Sequence, residues 1–178
     1  MNIAIVCVTR SGCVSVQTLI TLLKCHPKIP VEFVDENQRT DELRKLMKQY
    51  DRIVWIEYGV VFKEGMDMLL NPANGNIIVP APVAVNWKQF EERVDHQCEP
   101  VHQRGLVWDT WVQKNGTITQ TNPHLWAINT RPVTRKLKKI EMPPFERFWN
   151  WMIHSAHLKP KIVNDREIQM VFSHVLSA

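Results

Sequence analysis

The first third of this chain alternates between short apolar runs and amphipathic segments, and that alternation restricts the possible folds more than any other feature. Ile3 to Val8 is a continuous apolar run, Val31 to Val34 reads as a second short strand, and the strand Arg52 to Ile56 carries the apolar run Ile53 to Ile56. Runs without polar alternation are expected of parallel strands covered on both faces. Between them lie two segments with helical spacing. From about Ser15 to Lys24, Leu19, Ile20, Leu22 and Leu23 recur on a helical period; from about Thr40 to Gln49, Leu43, Leu46 and Met47 do the same. Ser15 and Thr40 are the candidate N-caps, and Pro27 and Pro30 stop the first helix, since proline cannot continue one. Strand, helix, strand, helix, strand in that order predicts right-handed parallel βαβ units.

Beyond residue 60 the pattern is less regular. Phe62 to Leu70 reads as a short helix, stopped by Asn71-Pro72 and the Asn74-Gly75 turn. Ile77 to Val79 is a further strand, broken by Pro80. Val107 to Val112 and Gly116 to Thr121 read as a hairpin about an Asn-Gly turn. Leu125 to Asn129 reads as a strand, followed by a helix from Pro132 to Lys139 with the proline in its first turn. Phe145 to Ala156 and Asp165 to Leu176 read as two more helices. At 178 residues the chain is read as one domain with a substantial core.

Composition excludes several classes. Hydrophobic residues at 44% and charged residues at 22% are ordinary for a globular protein. No apolar run approaches the roughly 20 residues that span a bilayer. Met1 to Val6 has no basic region ahead of it and reads as a first strand, not a signal peptide, which makes the cytoplasm the expected location. The four cysteines, Cys7, Cys13, Cys25 and Cys98, form no Cys-x-x-Cys pair and are read as unpaired thiols. His154 and His157 lie three apart, but no third ligand accompanies them, so zinc is not expected. Net charge is +4, with Arg135, Lys136, Lys138 and Lys139 close together. Such a cluster is either a solvated helix face or a patch for an anionic ligand or membrane surface. No recognised nucleic-acid module accompanies it.

The third strand ends in an acid, Glu57, followed by Tyr58 and Gly59. Open α/β sheets place ligand chemistry beyond the C-terminal ends of their strands. Further features stand in a fixed order around it: Thr9-Arg10 after the first strand, Asp35 after the second, "DRIVWIEYGVVF" across the third, and later "NPHLWAINTRPVTRKL" and "NDREIQMVF". In that order and spacing they resemble a small GT-A-type glycosyltransferase of the kind found in phages and large viruses. The resemblance implies a single-domain α/β fold, a Rossmann-like mixed sheet flanked by helices. Residues 1–80 would be the nucleotide-binding half and 81–178 the acceptor and catalytic half.

The same resemblance implies site residues. Thr9, Arg10 and Asp35 would contact a UDP- or GDP-sugar, with Arg10 on the diphosphate. Glu57 would hold Mn²⁺ or Mg²⁺, with His174 as a further ligand, and Asp165 or Glu167 would be the catalytic base towards a carbohydrate or other hydroxyl acceptor. Gly59 stands where the family places a second acid, which removes one oxygen ligand. Each residue also has a structural reading: Glu57 and Asp35 as strand-end acids bonded to backbone N–H groups, Asp165 as a helix cap, His174 as a surface histidine. Six of the seven tryptophans, Trp87, Trp108, Trp111, Trp126, Trp149 and Trp151, follow the βαβαβ block. They suit sugar stacking or an irregular core. A non-catalytic module of the same fold, recognising a glycan or a protein, is the alternative function.

Overall fold

The computed structural model describes residues 1–25, 28–58, 60–64, 66–80, 83–86, 110–114, 117–121, 125–138, 140–152, 156–158, 160–163 and 169–172. The first third forms as the pattern predicts: β1 (Ile3–Thr9), α1 (Val16–Cys25), β2 (Val31–Asp35), α2 (Arg39–Gln49) and β3 (Arg52–Ile56). Then come β4 (Val60–Glu64), α3 (Met66–Leu70), β5 (Ile77–Pro80), β6 (Val83–Asn86), β7 (Thr110–Lys114), β8 (Thr117–Thr121) and β9 (Leu125–Asn129). The chain continues with α4 (Thr130–Leu137), α5 (Phe145–Asn150), β10 (Lys161–Val163) and β11 (Gln169–Phe172). Among the described residues no helix is long and apolar enough to cross a membrane.

A six-stranded mixed sheet in the order β10-β5-β9-β3-β1-β2 organises the molecule. β1 pairs in parallel with β2 and β3, while β9 runs antiparallel between β3 and β5. This is the α/β mixed sheet flanked by helices that the sequence led us to expect. Side chains alternate across it, and both faces are apolar. On one, Val6, Val8, Val34, Ile53 and Trp55 pack under Leu43, Leu46 and Met47 of α2, with Val133 of α4 and Phe145 and Phe148 of α5. On the other, Ile5, Cys7, Val54 and Ile56 pack under Leu22 of α1 and Met66, Leu69 and Leu70 of α3. Two smaller antiparallel sheets, β4 with β11 and β6-β8-β7, complete the described structure.

Several expectations need correction. Residues 62–64 are strand, not helix; Val60, Val61 and Phe62 are β-branched or aromatic, and β11 supplies a partner. The expected terminal helix from Asp165 contains β11 instead, because Met170, Val171 and Phe172 pair antiparallel with β4. α5 ends at Asn150 and gives way to a wider turn, in which the Ala156 N–H donates to the Trp151 carbonyl at 2.8 Å. The hairpin of β7 with β8 forms, with Thr110 opposite Thr121.

Thr40 does not cap α2, which begins one residue earlier. Its hydroxyl oxygen accepts from the Phe145 N–H at 2.9 Å and so caps the start of α5. Arg52, which opens β3, has a structural role that its sequence context does not announce. Fully buried at the start of β3, it donates to the carbonyls of Leu69 (2.6 Å) and Gly75 (3.1 Å) and to Asn129 Oδ1 (2.6 Å). It ties α3, the turn at Gly75 and the end of β9 to the sheet.

Candidate functional site

The strand order β2-β1-β3 makes the boundary between β1 and β3 a switch point. From β1 the chain crosses through α1 to β2 on one side, and from β2 it crosses through α2 to β3 on the other. The two helices cover opposite faces, since α1 joins the cluster of Ile5 and Cys7 while α2 joins that of Val6 and Val8. Open α/β sheets bind ligands beyond the strand ends at such a switch point. Thr9 and Asp35 are register partners at the ends of β1 and β2, and Glu57 follows the end of β3. Thr9, Arg10, Asp35 and Glu57 are thus brought to one edge.

After β1 the backbone reverses sharply. Arg10 and Cys13 exchange N–H···O bonds of 3.0 and 2.9 Å, and the two residues between them, Ser11 (φ 52) and Gly12 (φ 72), are both left-handed. That is the mirror-image turn that favours Gly at its second central position. It projects Arg10 across the edge: its Nε donates to Glu36 Oε2 at 3.3 Å, and its guanidinium carbon lies 4.9 Å from the centre of the Tyr58 ring. Arg10 spans from the segment after β2 to the segment after β3 and remains largely exposed. The Asp35 carboxylate accepts from the Asn37 N–H (2.9 Å) and side-chain amide (3.1 Å), capping a 3-10 turn over Glu36–Gln38. The Thr9 hydroxyl, buried, donates to the Val34 carbonyl at 3.4 Å.

Glu57 is buried, and donors reach both of its carboxylate oxygens. Its Oε1 accepts from Trp55 Nε1 (2.8 Å) and Arg39 Nε (3.0 Å); its Oε2 accepts from Arg39 Nη2 (2.7 Å) and Nε (3.2 Å). Arg39 also donates to the Glu36 carbonyl at 2.6 Å and lies over the Phe145 ring. Burial pushes the Glu57 carboxyl upward, while the Arg39 guanidinium and the Trp55 N–H pull it back. Trp55 is fully buried and stacked on its cross-strand partner Trp126, with ring centres 5.4 Å apart. The carboxylate is anchored from below by a tryptophan and closed from the side by an arginine.

This donor set does not fit a divalent cation at Glu57. Both oxygens are already taken by donors, and the charge beside them is the Arg39 guanidinium. Among the described residues no three of His, Cys, Asp and Glu gather as a possible ligand group. Gly59, Asp165, Glu167 and His174, all named from the sequence, lie outside the described residues.

Sequence reasoning missed Arg39, Glu36 and Tyr58 as members of the edge. A signal was present for Arg39: it is the sole cation between Lys28 and Arg44, within a run that holds Asp35, Glu36, Asp41 and Glu42. Of the tryptophans, Trp55 and Trp126 are core and Trp151 is partly buried against it.

No family model matches the sequence, and no curated protein does. Solved structures do resemble this fold. The crystal structure of A197 from STIV superposes with a TM-score of 0.55 at 13% identity, covering 97% of this chain and 85% of that one. The two chains share a fold. At that identity the likeness says nothing of activity. A glycosyltransferase involved in the glycosylation of the major capsid of PBCV-1 gives a TM-score of 0.43 at 6% identity, covering 93% of this chain and 83% of that one. A similarity of that size carries no argument about this chain.

Proposed function

We propose that this protein binds a nucleotide sugar beyond the ends of β1, β2 and β3 and transfers the sugar to an acceptor hydroxyl. The observation that carries this reading is Arg10. It sits at the switch point, is steadied by Glu36 and Tyr58, and has both terminal nitrogens without a hydrogen-bond partner among the described residues. A planar guanidinium with two outward donors suits the bidentate recognition of a diphosphate, and the Tyr58 ring offers a face to a base or sugar. In the transfer, the acceptor oxygen attacks the anomeric carbon, the bond to the diphosphate breaks, and the nucleoside diphosphate leaves. Asp165 or Glu167 is the proposed acceptor of the hydroxyl proton. No step of this scheme runs through a metal; Glu57 serves to hold Arg39 at the edge.

A second reading is favoured by the closed Arg39–Glu57 pair: a module that binds the same donor, or a glycan, without turnover. Thermal-shift measurements with UDP- and GDP-sugars test the shared step. A ligand at a hundred times its Kd stabilises by about 2.7 kcal/mol, which at about 2–4 °C per kcal/mol for a chain of this size raises Tm by about 5–11 °C. Arg10→Ala should abolish most of that shift without altering the unliganded Tm. No shift with any nucleotide sugar at millimolar concentration contradicts the enzyme and the donor-binding module, and leaves only the glycan-binding one. Release of free nucleoside diphosphate on incubation with a bound donor separates the enzyme from the module.

A further inference from the structure

On the α2 side of the sheet, α2 packs against α4, and an open groove of about 390 Å³ runs between them and the segment after α4. Its floor is apolar, made by the buried Met47 and Met142 and the partly buried Leu137. Its walls are basic: Arg44 and Lys48 from α2, Lys138 beyond the end of α4. At the rim stands Ile140, a large aliphatic side chain left 47% exposed.

The charge on this face is predominantly positive. Arg131, Arg135 and Lys138 fall at i, i+4 and i+7, one face of a helix, and Lys136 adds a further exposed cation to the same helix. No acid occurs between Asp109 and Glu141 in the sequence. None of these four cations forms an ion pair among the described residues, whereas Arg44 is paired with the exposed Asp41 at 3.1 Å. Glu141 is the one acid among the described residues lining the groove.

A soluble anion or a nucleic-acid backbone would use the cations and leave Ile140 in water. An anionic bilayer satisfies both. Clusters of four or more Lys and Arg on an amphipathic helix suit acidic lipid headgroups, and basic side chains lay their methylene stems on apolar surface while the charged ends reach outward.

We propose that the α2–α4 face docks on a membrane containing anionic phospholipid, its lysines and arginines meeting the lipid phosphates and Ile140 entering the interfacial layer. The contact is peripheral and reversible, as expected of a single weak anchor. It is independent of what the strand ends bind, because none of Thr9, Arg10, Asp35 and Glu57 lies on the groove.

Vesicle co-sedimentation of the full chain tests the inference. Binding is expected to vesicles of phosphatidylcholine with phosphatidylglycerol, not to phosphatidylcholine alone, and to fall at high salt. The double variant Arg135→Glu/Lys138→Glu should reduce partitioning by about 30-fold or more, since each basic residue near the surface is worth about 1 kcal/mol. Ile140→Asp should weaken it further. All three positions are exposed, and an unchanged Tm checks that the variants fold. Three results overturn the inference: equal binding to neutral vesicles, no binding to anionic ones, or binding that survives the double reversal. Loss of binding in Leu23→Gln overturns it as well, since it would put the contact on the exposed face of α1, across the sheet.

Discussion

Replacing Glu57 with Gln keeps the side chain's size and removes its charge, which isolates what the carboxylate does at the end of β3. In the native protein four donor contacts between 2.7 and 3.2 Å converge on it, three of them from Arg39. The Gln oxygen can keep one of the two sides, facing either Trp55 or Arg39. Its NH₂ group must then meet a donor where an acceptor stood, and the largely buried Arg39 loses its counter-charge. Breaking a buried pair by removing one partner costs about 3–5 kcal/mol. The retained acceptor places this case near the lower end, at about 3 kcal/mol, so Tm should fall by about 6–12 °C. Urea unfolding of the wild type, Glu57→Gln, Arg39→Met and the double variant gives the coupling directly, and we expect about 2 kcal/mol for contacting residues of this kind. A loss below about 1 kcal/mol in Glu57→Gln, the value of an exposed pair, would refute the view that the pair locks this edge.

Three further outcomes are expected. Arg52→Met leaves the Leu69 and Gly75 carbonyls and the Asn129 side chain without their donor, and should lower stability by at least about 3 kcal/mol in urea unfolding. Thr40→Val removes the acceptor for the Phe145 N–H and should cost about 1 kcal/mol, the usual value of a lost cap, with the near-ultraviolet signal of the tryptophan cluster disturbed. In a Cys25→Ser/Cys98→Ser background, a thiol reagent should label the exposed Cys13 quickly and leave Cys7 untouched in the folded state, because burial pushes the Cys7 thiol up to about 12.

The first five elements were legible because each is a local pattern repeated with consistent punctuation. Ile3–Val8 and Ile53–Ile56 are continuous apolar runs, Val31–Val34 is apolar but for Glu32, and the first helix between them meets a clear stop at Pro27 and Pro30. The chain beyond Tyr58 was harder for a physical reason. β4 and β11 are short, far apart in sequence and stabilised by each other, so neither window alone distinguishes strand from helix. Thr40 shows the same limit on a smaller scale: its sequence context suits a helix cap, and its partner is 105 residues away. At the edge of the sheet, the position of Glu57 could be read from the strand that delivers it. The pairing with Arg39 could not, because the lone cation between Lys28 and Arg44 reaches Glu57 only once α2 folds across the sheet. The basic cluster near Arg135 was visible as a cluster, but the groove beside it needed α2 to supply the other wall.

The location of the ligand site is tested most directly by amide chemical-shift mapping of the labelled protein titrated with a UDP- or GDP-sugar. We expect the perturbed amides to gather at Arg10 to Cys13, Asp35 to Arg39, and Glu57 and Tyr58, with Asn2, Ile29 and Asp51 at the opposite edge unmoved. Perturbations confined to that opposite edge, or to the α2–α4 groove, would contradict a site at the switch point.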